Sequence, residues 1–380
     1  MDLAIYHTWL KEKGGAEKVV LESAKRSEHD VTVYTQFYDE DETFEGFKNL
    51  DIQVLGSNTA PRNFIDQGLR FGLGSLLRKI PLNDHDAFLV SEAGIGSLIA
   101  LRNNSVPTLC YCHTPLRAAL PEFKDRYLSE QPLPLKPVYW TGIKVYDQLE
   151  KQAWKKFDRI LVNSDTTKRR TLKKGIAHDE KLSIINPGAD VEGNQEGVFE
   201  KYFLYPSRFR RYKRQGLAIK AFKEADLEDF KLVLAGSNQE PEFVEELREM
   251  IDEEDSIEIR TDLPGDEWKE LYRNCYSVLF LAEKEDWGII PIEAGSHGKL
   301  TIAVNEGGPK ESVLEDETGL LVDPKSEDIA EAMKVLAEDE EKTREMGTRA
   351  REESRKYSWG NFSEKLDEEV EKLVEEKEDG

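Results

Sequence analysis

The 380-residue chain has only three cysteines and four methionines. Three thiols are too few for a disulfide framework and suit a reducing compartment. Cys110-Tyr111-Cys112 has the wrong spacing for a zinc knuckle and lies in an apolar, strand-like run. All three cysteines therefore read as small apolar filling. Nowhere do about 18 apolar residues run together, which excludes a membrane-spanning helix. The opening Met-Asp-Leu-Ala-Ile-Tyr has no basic region and no long apolar core. No signal peptide is expected, and the setting reads as cytoplasmic. Positive charge is in deficit: 53 Lys and Arg stand against 76 Asp and Glu, a net charge of −23. Such a balance excludes general nucleic-acid binding, which needs a basic face. Acid concentrates in 240–255, 338–341 and 364–379. That is the pattern of solvated helix faces. A second reading is adaptation to a salty cytoplasm, where high charge maintains solubility.

What the chain does have is length for two domains and an alternation of strand-like and helix-like runs. Strands are expected at 3–6, 30–35, 51–55, 87–91, 107–112 and 158–162, with 181–185 closing a first half. After a featureless polar stretch at 193–200, strands follow at 202–206, 231–236, 257–263, 277–282 and 301–304. The alternation predicts an α/β fold with two doubly wound parallel sheets. The boundaries are 1–190 for an N-terminal domain and 191–357 for a C-terminal one, with 358–380 a terminal acidic helix. Pro121–Pro137, with prolines at 132, 134 and 137, reads as a long loop. Residues 58–80 read as a loop and amphipathic helix, with Phe64, Leu69, Phe71, Leu73, Leu76 and Leu77 as core. The competing reading there is a membrane-facing patch carrying Arg62, Arg70, Arg78 and Lys79.

Candidate site residues collect where strands end, since open α/β sheets bind ligands at that edge. Gly14-Gly15 follows the first strand and opens a helix, a ligand-facing turn or a plain tight one. His113 ends the apolar run 107–112, before Pro115. Arg208, Arg210, Arg211, Lys213 and Arg214 crowd one loop of an otherwise acidic chain. That reversal of charge is a footprint for an anion such as a diphosphate. The most informative run is Glu285-Asp286-Trp287-Gly288-Ile289-Ile290-Pro291-Ile292-Glu293-Ala294. It places a glycine turn between a buried strand and a helix, and helix N-termini favour phosphate. Glu285 and Glu293 bracket the turn. Taken alone, they read either as structural ion-pair partners or as carboxylates that hold sugar hydroxyls.

The order Glu-x-x-Gly-x-x-x-x-Glu-Ala, then Lys299–Glu311 with its Gly307-Gly308 turn, then Thr318–Val322, resembles the donor-binding half of family four retaining glycosyltransferases. Tyr111-Cys112-His113-Thr114-Pro115-Leu116-Arg117 resembles a motif of that family's mannosyltransferase-like members. The resemblance implies a GT-B architecture, two Rossmann-like domains facing an interdomain cleft, with the last helix returning to the first domain. It implies hexose transfer from a nucleotide-diphosphate sugar, GDP-mannose for choice, to a lipid-linked or glycan acceptor. Anomeric configuration would be retained, and neither metal nor cofactor would be required, the nucleotide sugar being a substrate. Arg208 and Lys213 would stabilise the diphosphate, Glu285 would hold the sugar, Glu293 the ribose, and His113 would position the sugar from the first domain. Gly14, Gly15, Gly236, Leu263, Gly288, Ile289 and Ile290 would line the donor site. Departures from the family pattern are Leu281-Ala282 for Pro-Ser, Trp287 for Phe, and Gly295-Ser296-His297-Gly298 for a small-residue run. The alternatives are a UDP-sugar donor, a sugar-nucleotide epimerase, and a non-catalytic sugar-nucleotide-binding subunit. Peripheral contact with the inner face of a membrane would suit a lipid-linked acceptor.

Overall fold

The computed structural model describes residues 1–56, 59, 66–194, 197–251 and 256–379. The chain divides into two units, Met1–Pro187 with the C-terminal helix Trp359–Glu378, and Gly188–Ser358.

The first unit is built on a parallel sheet of seven described strands. These are β1 (Asp2–His7), β2 (Asp30–Thr35), β3 (Asp51–Val54), β4 (Ala87–Glu92), β5 (Thr108–Cys112), β6 (Arg159–Val162) and β7 (Leu182–Ile184). Their spatial order is β3-β2-β1-β4-β5-β6-β7. Every residue of β4 and β5 is buried, as expected of strands covered on both faces by helices. Tyr6, Phe88, Val90, Cys110, Cys112, Trp154 and Phe157 belong to one core cluster. The cysteines are thus apolar filling inside the sheet, and all three in the chain are free thiols.

The helix Trp359–Glu378 belongs to this unit. Trp359, Phe362, Leu366, Val370 and Leu373 are its buried stripe, spaced at helical period. Asp367 accepts hydrogen bonds from the Ser27 hydroxyl and the Glu28 amide, at 2.8 and 3.0 Å. Arg159 reaches Glu369 and Glu376. Of the acids in 364–379, Asp367 and Glu369 turn inward to partners, while the others are exposed, as expected of a solvated face.

The second unit carries a parallel six-stranded sheet of β8 (Tyr202–Pro206), β9 (Lys231–Gly236), β10 (Ile257–Thr261), β11 (Ser277–Phe280), β12 (Thr301–Val304) and β13 (Gly319–Val322). The order β10-β9-β8-β11-β12-β13 repeats the plan of the first sheet. In both, strand order reverses next to the first strand, at β1/β4 and at β8/β11. The crevice beyond the carboxyl ends of such a pair is where this topology binds ligands.

Two local expectations fail. Pro121–Pro137 is not one loop: Pro121–Ser129 is an α-helix with Pro121 in its first turn. A first-turn proline loses nothing, because its missing N–H would have had no helical partner. In 66–80, Phe71 is buried, but Leu73 and Leu77 are exposed. The buried face of the short helix Leu73–Leu77 is Gly74 and Ser75. Ser75 hydrogen-bonds Tyr6 and Gln36, so a polar contact seats this helix. Arg62 and Phe64 lie outside the described residues, as does the Leu69 side chain.

Candidate functional site

In the second unit, three loops at the carboxyl ends of β8, β11 and β12 are tied to one another. The loop after β8 holds Arg208–Arg214. The loop after β11 holds Glu283–Gly288, and the loop after β12 holds Asn305–Gly308. Lys213 forms an ion pair with Glu285, the two side chains being 11% and 14% exposed. Arg214 pairs with Glu306 at 2.9 Å. The Glu283 amide donates to the Tyr212 carbonyl at 2.9 Å, and the Gly308 amide donates to the Glu285 carbonyl at 2.8 Å. The Tyr205 hydroxyl donates to the Lys213 carbonyl and so ties the basic loop to its own strand.

The glycines of this region follow from close approach. Gly307 has φ +65°, and a Cβ there would sit 2.3 Å from the Glu285 carbonyl oxygen. A Cβ on Gly308 would meet Asp286 and Trp287 backbone at 2.5 Å. The Gly-Gly turn is what lets the third loop lie against the second. Gly236, at the end of β9, stands against the Ser207 carbonyl in the same way.

Gly288 is the N-cap of the helix Ile289–Ser296; it makes no side-chain cap bond, and the first turn holds no acid. The N–H groups of a first turn have no helical acceptor and attract anions. Trp287 is buried with Ala189 and Ile292, and its ring lies 5.5 Å from that of Tyr357. It anchors the turn by packing. Glu293, inside the helix, accepts a hydrogen bond from the Tyr272 hydroxyl at 2.8 Å. Ile289 and Ile290 are half-buried against the clusters on either side. Leu263 packs against the same cluster as Ile290, which includes Leu204, Val233 and Ala294.

The five basic residues of the β8 loop are less surplus than their sequence suggests. Besides Lys213 and Arg214, Arg211 pairs with Glu246, and Arg210 donates to Gln239 at 2.7 Å. Arg208 is half-buried beside them and receives the Gln215 amide on its carbonyl at 2.9 Å. Sequence reasoning counted Arg214 in the anion-facing basic loop but gave it no partner, and gave Glu306 no role.

In the first unit, neighbouring strand ends bring His7, Ser91, Glu92 and His113 together. Strand register sets His7 opposite Ser91 and Ser91 opposite Tyr111. The His113 amide donates to the Glu92 carbonyl at 2.9 Å. The Ser91 hydroxyl lies 3.0 Å from His7 Nδ1 and 2.8 Å from His113 Nε2. The two rings meet edge to face, 6.3 Å apart. Burial pushes the His7 pKa down to about 4. It pushes that of His113 down to about 3, with help from the positive charge His7 would carry. Both imidazoles are therefore neutral at ordinary pH.

Glu92 is fully buried and accepts the amides of Gly94 and Ser97. Burial raises its pKa against those bonds. Glu92 thus holds the loop beyond β4 in shape, a role with no signal in sequence. Gly14 is the N-cap of the helix Gly15–Arg26, and a Cβ on Gly15 would meet nothing within 4 Å. The structure thus groups Arg208, Lys213, Glu285 and Gly288 in one unit, and His113 with unexpected companions in the other.

Residues 191–353 match the family described as glycosyl transferases group 1, and residues 13–192 match glycosyltransferase family 4. Among curated proteins, the chain is similar to the alpha-1,3/1,6-mannosyltransferase ALG2 of Mus musculus. The two are 28% identical, with 95% of this chain and 94% of that protein covered. Among solved structures it is similar to Anabaena Alr3699/HepE in complex with UDP and glucose, at TM-score 0.75 and 18% identity, over 98% of this chain and 99% of that one. Sucrose-phosphate synthase from Thermosynechococcus elongatus gives TM-score 0.76 and 17% identity, with 98% and 99% covered.

Proposed function

The chain belongs to the group 1 glycosyl transferases of GT-B fold, and from that premise we propose that it transfers mannose from GDP-mannose to a lipid-linked or glycan acceptor. The alpha-mannosyltransferase relatives, similar over most of the chain, support the sugar. The observation that carries the site is the Lys213–Glu285 pair beside the uncapped helix at Gly288.

Breaking the bond between the sugar and the diphosphate places negative charge on the leaving phosphate. Arg208, Lys213 and the first-turn amides after Gly288 are the groups assigned to that charge. Preorganised donors of this kind are usually a large catalytic contribution. A diphosphate that draws Lys213 toward itself releases the Glu285 oxygen that Lys213 holds, and that oxygen then accepts sugar hydroxyls. Glu293 is assigned to the ribose and His113 to the sugar. With those cations in place the reaction needs no divalent metal, and the acceptor attacks the face the leaving group vacates, with retention.

The test is initial-rate transfer from GDP-mannose, UDP-glucose and UDP-N-acetylglucosamine, with and without EDTA, the anomeric proton of the product being read by NMR. Transfer from GDP-mannose alone, unchanged by EDTA and giving the α-anomer, is expected. Consumption of donor without acceptor would instead identify an epimerase.

For the acceptor's surroundings, Leu133 is 80% exposed, and Leu135, Val138 and Val145 are exposed with it. Lys124 and Lys144 lie over Trp140 at 3.9 and 5.0 Å. Apolar side chains flanked by lysines in so acidic a chain fit an anionic lipid surface. No helix among the described residues is long and apolar enough to cross a membrane, so the contact assigned is peripheral. Co-sedimentation with vesicles containing phosphatidylglycerol should weaken in Leu133→Glu and Val138→Glu. Equal binding by these variants would remove the strip from consideration.

A further inference from the structure

The Ser91 hydroxyl stands between two imidazoles that share one state of charge. It has one proton to give and lies within hydrogen-bond distance of His7 Nδ1 and of His113 Nε2. A neutral imidazole has one N–H and one lone pair, and the bond made by one nitrogen sets the role of the other. With the serine proton given to one of the two rings, the three groups have two consistent arrangements. In the first, Ser91 donates to His7 Nδ1 and accepts from His113 Nε2–H. In the second, Ser91 donates to His113 Nε2 and accepts from His7 Nδ1–H. The first gives both rings the Nε2–H form that an unrestrained histidine prefers; the second gives both the disfavoured form.

Exposure adds direction. His7 and Ser91 are 2% and 3% exposed, whereas His113 is half-buried. The Nε2 edge of His113 faces the buried serine, so the opposite edge, with Nδ1, is the one left for a ligand. We infer that Ser91 is a positioning residue that, together with His7, locks His113 as Nε2–H, so that His113 presents the Nδ1 lone pair as a fixed hydrogen-bond acceptor. The group recognised is a hydroxyl donor, which on a sugar means a ring hydroxyl held in one orientation. The functional half of this inference rests on the assignment of His113 to the sugar; the lock itself does not.

The lock is read directly from the chain labelled with ¹⁵N-histidine, six residues in all. His7 and His113 are assigned by their loss in His7→Asn and His113→Asn. Wild-type protein should show both as neutral Nε2–H rings at pH 7. His7→Phe removes the acceptor for the serine proton, which then turns to His113 Nε2 and drives that ring to Nδ1–H. His7→Asn keeps a carbonyl oxygen as acceptor and should leave His113 as Nε2–H. Ser91→Ala removes the bond at His113 Nε2 and should leave that ring in the Nε2–H form it prefers unrestrained, so the switch in His7→Phe requires the serine hydroxyl and should vanish in the double variant His7→Phe with Ser91→Ala. A wild-type His113 in the Nδ1–H form, or one indifferent to His7→Phe, would overturn the lock.

Turnover separates the functional half. His7→Phe should lower kcat about tenfold with the donor KM within about twofold, and His7→Asn should restore it, a tenfold change being 1.36 kcal/mol of barrier. Switched tautomers with unchanged kcat would leave the lock standing and remove His113 from the sugar.

Discussion

Two sheets of the same plan end in opposite chemistry. At the carboxyl ends of β1, β4 and β5 the side chains are neutral rings, a hydroxyl and a carboxyl committed to backbone amides. At the carboxyl ends of β8, β11 and β12 they are paired charges, Lys213 with Glu285 and Arg214 with Glu306. The strand order that creates a crevice is common to both; the chemistry comes from the loops. Hydroxyl groups are oriented by fixed, neutral acceptors, whereas a leaving phosphate is stabilised by cations that can be drawn from existing partners.

The sharpest way to break the comparison is at the charged end. Lys213→Ala removes a cation assigned to the diphosphate and the ion-pair partner of Glu285. It should lower kcat/KM about a hundredfold, or about 2.7 kcal/mol; Arg208→Ala and Glu285→Ala should cost at least tenfold. The exchange Lys213→Glu with Glu285→Lys should regain much of the lost melting temperature without regaining turnover. Full recovery of turnover by the exchange would reduce the pair to a structural ion pair.

Gly307→Ala tests whether the charged loops depend on each other's backbone. It combines a positive φ with a Cβ against the Glu285 carbonyl, and should lose roughly 2 kcal/mol of stability. A urea titration reads this, and the donor KM should rise because Glu285 moves with its carbonyl. At the neutral end, His113→Ala should lower turnover about tenfold, close to 1.4 kcal/mol. That is less than at the charged end, because no charge is lost.

The neutral rings also predict a pH dependence of stability. In the folded chain His7 and His113 titrate at about 4 and about 3, against 6.5 for an ordinary histidine. Between those values the unfolded chain binds more protons, so their contribution makes stability rise with pH up to about 6.5 and fall below it. Glu150, lifted to about 7 by burial against the pull of Lys174, acts in the opposite sense as pH rises from 4.5. The histidine share therefore shows as a difference. Wild type should lose more stability between pH 7 and pH 4.5 than His7→Asn, and a parallel loss in both would place the ring among ordinary histidines.

Much of this was legible in the sequence because strand and turn signals are local. The buried run 277–282, the glycine at 288 and the helix that follows lie side by side in the chain, and each follows a period or a cap that can be read directly. The partners were not legible. Arg214 and Glu306 are 92 residues apart and His7 and Ser91 are 84 apart, so only the parallel register makes them neighbours. Glu92 resembles any carboxylate at a strand end until the amides of Gly94 and Ser97 are seen to surround it. Leu73 and Leu77 have the spacing of a buried face, yet Ser75 wins the inner position, because Tyr6 and Gln36 already present a polar socket there. The prolines at 132, 134 and 137 suggested one long loop that reached back over Pro121, whereas a proline in a first turn is a beginning.

The helix Trp359–Glu378 supplies Phe362, Leu366 and Val370 to a unit whose other residues end at Pro187. On the ribosome, that unit is begun first and completed last. All of Gly188–Ser358 emerges while the earlier sheet still lacks part of its cover, so the nascent chain carries an open apolar flank for some 170 codons. Such a flank is what chaperones that survey nascent chains bind, and a stop codon anywhere before Trp359 would leave it uncovered for good.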